Sequence, residues 1–251
     1  MRRAAWLVLS LVATLPLSLH AQESPRLGLR LDARASIQWS ADTLMLQNNS
    51  AIYYQLPVDT ILDVWLGPDR GAFAVVSNKG LGMLLAQTLS PSTQPFGPRA
   101  ILRSSRPDVI WACIDSKDGL PHRRIIERRA RDRQRDLLVA PSELLDFDVD
   151  VAGHLVMLTR DRRLLVATGT TFSEIALSGS GAPPVQMRLT RVFVDDKGSE
   201  VAILGDNALF RFAPATRQWT STPVNLQVDA LVRHAASRRI RVEPKFVIPR
   251  S

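Results

Sequence analysis

The chain has 251 residues, 45% of them hydrophobic and 22% charged, long enough to bury a core of its own. Thirty-two Lys and Arg against 24 Asp and Glu leave a formal charge of +8, a mildly basic balance that favours acidic partners in general without specifying one. Cys113 is the single cysteine, which excludes an intramolecular disulfide framework.

The first segment reads as an address. Arg2 and Arg3 precede the apolar run "AAWLVLSLVATLPLSL", which contains Pro16 and is short for a bilayer span, and Ala21 offers a small residue for cleavage, although Leu19 occupies the position three before the cut. Residues 1–21 are therefore expected to be a secretory signal peptide, with 22–251 forming the mature domain. No second long apolar run follows, so stable membrane insertion is not expected, and no cysteine near Ala21 suggests lipid attachment. Cleavage removes Arg2 and Arg3 and leaves 30 basic against 24 acidic residues, +6. A periplasmic or secreted location makes nucleic acid a poor candidate for the acidic partner.

Beyond the leader, "LGLRLDARASIQWSADTLMLQNNSAIYYQLP" divides into short strands at Ala41-Asp42 and Asn48-Asn49-Ser50. The adjacent Tyr53 and Tyr54 must point to opposite faces of their strand, which leaves one ring accessible. Trp39, Trp65, Trp111 and Trp219 all lie in strand-like runs and read as core. Cys113, within "DVIWACID", reads as a buried thiol, not a nucleophile.

Four stretches place an Asp shortly before a Gly between apolar runs: "WLGPDRGAFAVVSNKGLGMLLA", "CIDSKDGLPHRRIIE", "DVDVAGHLVMLTRDRRLLVA" and "FVDDKGSEVAILGDNALFRF". Asp bonds its side chain to nearby backbone N–H and Gly tolerates positive φ, so each is a tight reversal joining strands. After Gly153 come Leu158, Asp161 and Leu164, and after Gly198 come Ile203, Asp206 and Leu209, so offsets of 5, 8 and 11 coincide. A lone meander is marginal in water, and repeats of this length bury both faces by stacking in a ring. Gly71, Gly119, Gly153 and Gly198 are 48, 34 and 45 residues apart. The short middle interval means that a strand is missing or that the "DSKDG" turn is not equivalent to the others. The expected fold is an all-β propeller of about five four-stranded blades, with the two chain ends sharing one blade and with room for an incomplete or irregular blade. A propeller that closes only with a second chain is the other reading of that interval.

The copies "DVDVAGHLVMLTRDRRLLVA" and "FVDDKGSEVAILGDNALFRFAPATRQW" resemble blades of bacterial NHL-like or two-component-regulator-type β-propellers. Pro214 to Trp219 is similar to the blade-closing turn and last strand of many such proteins. The resemblance implies architecture, not activity, because these families include scaffolds, sensor domains, lyases and hydrolases.

Chemistry is sparse. His122, His154 and His234 are widely separated, and no metal, nucleophile-elbow or phosphate-loop motif is present, so no catalytic residue, metal site or cofactor is expected. Asp146, Asp148 and Asp150 alternate in "DFDVDVAG" and would line one strand face. They could contribute to a calcium site, or lie at a channel-facing or solvent-facing edge and cap the turn. His154, directly after a turn glycine, could act as a general base or be a turn residue without a partner beside it in sequence.

The segment 121–136 holds Arg123, Arg124, Arg128, Arg129, Arg131, Arg133 and Arg135 against Glu127, Asp132 and Asp136. Arginine suits bidentate capture of phosphate or carboxylate, which makes these seven the candidate binding residues for an envelope protein or other acidic surface partner. Self-paired, they would form only a solvated hairpin or an exposed helix. The function expected is non-enzymatic: an exported binding or scaffold propeller in the bacterial cell envelope. The alternative is a propeller lyase or hydrolase acting on an acidic glycan or small lactone.

Overall fold

Every regular element among the residues that the computed structural model describes is a β-strand, and the description covers residues 26–246 except 32–34, 49, 67–71, 86–87, 92–95, 97–99, 107–108 and 130–132. The expected signal peptide lies outside the described residues. The N-terminal strands are β1 (Arg26–Arg30), β2 (Ser36–Ser40), β3 (Thr43–Asn48) and β4 (Ser50–Gln55). The first full blade follows as β5 (Ile61–Leu66), β6 (Ala72–Ser77), β7 (Gly80–Leu85) and β8 (Thr88–Pro91). The second is β9 (Ile101–Arg106), β10 (Val109–Ile114), β11 (Arg124–Arg129) and β12 (Arg133–Val139), and the third is β13 (Leu144–Val149), β14 (Leu155–Thr159), β15 (Leu164–Thr168) and β16 (Thr171–Ile175). The fourth is β17 (Leu189–Val194), β18 (Val201–Gly205), β19 (Ala208–Ala213) and β20 (Gln218–Pro223), and β21 (Asp229–His234) and β22 (Ile240–Pro244) end the described chain.

Each of these four blades is an antiparallel sheet in sequence order. The fifth joins the two ends of the fold in the order β22-β21-β1-β2-β3-β4, with β1 running parallel to β21. Successive inner strands meet around the ring: β1 with β5, β5 with β9, β9 with β13, and β13 with β17. The chain is a five-bladed β-propeller, and it closes by itself.

The second strands explain why the sequence reads as unbroken apolar runs. In β18, Val201 and Ile203 enter the core shared with the third blade, while Ala202 and Leu204 enter the core shared with the closing sheet. In β14, Leu155 and Met157 face the second blade and Val156 and Leu158 the fourth. Likewise, β10 sends Trp111 and Cys113 one way and Ile110 and Ala112 the other, and β6 divides Phe73 and Val75 from Ala74 and Val76. A strand covered on both faces has no polar face to alternate with, and its period of two instead sorts side chains between two cores.

The short glycine interval has a local cause. Gly119 lies between the second and third strands of its blade, whereas Gly71, Gly153 and Gly198 lie between first and second strands. The "DSKDG" turn is thus not equivalent to the others, and the second blade is complete. Trp39, Trp65, Trp111 and Trp219 are all buried, and Tyr53 is exposed while Tyr54 packs against the core. Trp219 fastens its blade to the preceding one: its ring lies 5.0 Å from that of Phe212, and its indole N–H donates to the Ala176 carbonyl at 3.1 Å. The Cys113 thiol is fully buried, and burial, helped by Asp146 and Asp115, pushes it up to about 12.

Candidate functional site

Four inner strands open with the same pattern, an apolar residue followed two positions later by a charge: Ile61-Leu62-Asp63, Ile101-Leu102-Arg103, Leu144-Leu145-Asp146 and Leu189-Thr190-Arg191. In β5, β13 and β17 a register shift falls immediately before the charged residue. Such bulges re-aim a side chain, and here the charges meet one another across the inner strands. Arg103 donates to the Asp146 carboxylate, which also accepts the Val192 N–H at 2.9 Å. Asp148 accepts the Val194 N–H at 2.9 Å and Arg233 of β21 at 2.8 Å, and Arg233 also reaches Asp63 at 3.3 Å. Arg238, in the turn after β21 and 2% exposed, lies 3.5 Å from Asp148 and stacks 4.5 Å from the centroid of the Trp65 ring.

Asp146, Asp148 and Asp150, weighed above as calcium ligands, have partners within the protein. Arginines and backbone N–H groups occupy the carboxylate oxygens of the first two, and Asp150 caps its turn by accepting the His154 N–H at 2.8 Å. Asp195 does the same for Ser199 at the equivalent turn of the next blade. The three aspartates therefore take the channel-facing and turn-capping positions that their alternation allowed.

The arginines outnumber their partners. Among the described residues the axial ion pairs join four guanidinium groups, those of Arg103, Arg191, Arg233 and Arg238, to three carboxylates, those of Asp63, Asp146 and Asp148, while Asp150 acts on Arg238 from further away. The excess falls on Arg191. Its Nε has no hydrogen-bond partner among the described residues, and its nearest carboxylate, Asp146, is 4.0 Å away and already engaged by Arg103. Burial, with the Arg103 charge beside it, pulls its pKa down to about 10.

Arg191 lines a cavity of about 370 Å³ where inner strands begin, at one mouth of the ring. Leu27, Trp39, Ile61 and Leu226 give it an apolar wall, and Ser40, Thr60 and Thr190 add hydroxyl groups. Arg188 and Asp206 stand exposed at its rim. Among the described residues the indole N–H of Trp39, a residue only 3% exposed, has no acceptor, and neither do those of Trp65 and Trp111 elsewhere. The volume and the mixture of apolar wall with few polar groups suit a small ligand or the end of a larger one.

The arginine-rich segment is a hairpin, β11 and β12, at the outer edge of the second blade. Strand alternation divides it. Arg124 pairs with Asp136, and Arg128 lies 3.9 Å over the Phe96 ring, both on the face of Ile126, whereas Arg129 holds Glu127 at 2.6 Å on the face of Ile125. Arg123 donates to the carbonyls of Ala140 and Pro141 at 2.9 and 2.8 Å. Arg135 is exposed on β12 opposite Glu127, Arg133 begins β12, and Arg131 lies outside the described residues.

A second concavity of about 710 Å³ lies between the third and fourth blades, with Phe212 and Trp219 on its floor and Asp150, His154, Glu174, Lys197 and Arg217 around it. His154 has a partner that its sequence neighbourhood hid: its ring nitrogen is 2.8 Å from Asp150, brought there by the turn.

No protein-family model matches the chain, and no curated protein matches it. Solved propellers do. A TolB from Agrobacterium tumefaciens superposes with a TM-score of 0.57 at 11% identity, over 79% of this chain and 80% of that one. YCF48 bound to a D1 peptide gives 0.54 at 12%, over 84% and 86%. The extracellular domain of a one-component system from B. thetaiotaomicron gives 0.50 at 13% over 82% of this chain, which spans only 29% of that domain's length. At these identities the likeness is one of fold.

Proposed function

We propose that this chain is an exported propeller of the bacterial cell envelope that acts by binding, with its axial mouth as the primary contact. The observation that carries this is Arg191, a largely desolvated cation whose Nε has no hydrogen-bond partner among the described residues, in the wall of a formed cavity. Among the described residues lining that cavity the only titratable groups are Arg188, Arg191 and the rim residue Asp206. A lyase or hydrolase needs a convergent acid and base there, and a binding site does not. The Asp150 and His154 pair in the other groove has a structural reason to exist, since Asp195 and Ser199 build the same turn without a histidine.

Export is supported by Arg2, Arg3 and the apolar run behind them, and the fold is one that an extracellular domain and a peptide-binding protein also use. The arginine hairpin is a secondary contact for an acidic protein surface, through Arg129 and Arg135, which remain exposed.

The test is affinity capture of the tagged full-length gene product from its native envelope after crosslinking, at low and at high salt. We expect periplasmic fractionation, a mass consistent with cleavage after Ala21, and a defined partner that R191Q loses. A triple R128S/R129S/R135S variant should weaken capture chiefly at low salt, because exposed charges are screened. Turnover of an acidic glycan or lactone by the purified protein, abolished by H154A, would replace this reading with the catalytic one.

A further inference from the structure

We infer that the axial mouth is a carboxylate-binding site, specific for a monoanion attached to an apolar body; this rests on the binding reading above. The charge balance sets the sign and the number. Four guanidinium groups share three carboxylates in the axial ion pairs, and Arg191 has only a share of Asp146, so a single negative charge beside it completes its pairing. Asp146, 4.0 Å behind Arg191, repels a second negative charge there, and the rim charges of Arg188 and Asp206 are opposite in sign and offset each other. A planar guanidinium matches a planar carboxylate with two parallel N–H donors.

The walls set the rest of the ligand. Leu27, Trp39, Ile61 and Leu226 give the ligand an apolar wall, and the Trp39 indole N–H, buried in that wall, has no acceptor among the described residues. About 370 Å³ holds a small organic acid or the last residue of a peptide chain, and both present the same chemistry.

Calorimetry on the mature protein with 3-phenylpropionate, its neutral amide and inorganic phosphate reads this directly. The acid should bind, while the amide and phosphate should bind at least about 10-fold more weakly, the range expected for losing hydrogen bonds to a charged group. The Trp39 indole N–H resonance, identified by its absence in W39F, should shift on titration with the acid. R191Q should lose about 10- to 100-fold in affinity. S40W, which fills the mouth from an exposed position without touching the axial charges, should abolish binding even if R191Q folds poorly. The peptide N-acetyl-Leu-Phe as free acid and as amide separates the sources: tighter binding of the free acid than of phenylpropionate assigns a peptide C-terminus, and weaker binding assigns a small organic acid. Equal binding of acid and amide, or acid binding that leaves the Trp39 resonance unmoved, overturns the assignment. No binding of any carboxylate, with a partner still captured through Arg191, sinks the carboxylate assignment alone; failure of capture sinks the binding reading.

Discussion

Replacing Arg233 by Met tests whether the axial charges hold the ring closed. Arg233 is 6% exposed and ties the C-terminal β21 to Asp148 of the third blade at 2.8 Å and to Asp63 of the first at 3.3 Å. Burial alone would depress its pKa, and the carboxylates of Asp148, Asp63 and Asp146 together outweigh burial and raise it. At an effective dielectric of about 20 the two contacts are worth roughly 6 and 5 kcal/mol of Coulomb attraction. Desolvation of three ions offsets most of that, and measured losses on removing one partner of a buried pair are about 3–5 kcal/mol because the remaining charges stay buried. For a domain of this size that corresponds to a midpoint lower by roughly 6–20 °C. Thermal and urea unfolding of the protein read the change, with R135S as a surface control expected within about 0.5 kcal/mol of the parent. An R233M midpoint within about 2 °C of the parent would refute the reasoning and assign closure to the apolar cores between blades.

The remaining predictions concern Cys113 and Arg191. With its thiol pushed up to about 12, Cys113 should resist iodoacetamide at pH 8 in the folded protein and react fully after denaturation, read by intact mass. Arg191 should behave oppositely to Arg233: its folded pKa of about 10 is below the usual 12.5, so the charged form opposes folding throughout the neutral range and stability rises as pH climbs past about 10. R191L should therefore unfold at the same temperature as the parent or higher, and a midpoint lowered as far as that of R233M would show that Arg191 is structural.

The ring was legible because its turns are chemically marked. Gly153 and Gly198 adopt φ of +90° and +65°, which only glycine tolerates well, and the apolar runs beside them have the composition of strands covered on both faces. The second blade misled the spacing because positive φ at Gly119 was needed at a different turn of the meander, while the sequence between β9 and β10 contains no glycine. The axial site was harder to see. A lone charge in "LTRVFV" reads as an interruption of a strand until the four copies of the pattern are aligned, three of them with a bulge before the charge, and only then do Asp63, Arg103, Asp146 and Arg191 become equivalent. The arginine cluster drew attention by density, yet strand alternation spread it over two faces and paired much of it locally. Density along a chain measures convergence in space only when the period of the element is known.

Those four equivalent positions alternate in sign around the ring, Asp, Arg, Asp, Arg, and this has a consequence that does not depend on any single contact. Alternation closes without conflict only on an even number of blades. With five, the seam must carry a mismatch, and here the fifth sheet, where β1 and β21 meet, supplies a further two arginines, Arg233 and Arg238. Arg233 takes Asp63 and Asp148, Arg103 takes Asp146, and Arg191 is left beside the seam with a shared carboxylate and a cavity. A chain selected for stability alone would remove that charge, since a well-packed apolar residue in place of a desolvated ion with only a shared carboxylate is neutral or better. Its presence at the one place where the alternation fails, in the wall of a mouth open to ligands, is what a site that gives up stability for binding looks like.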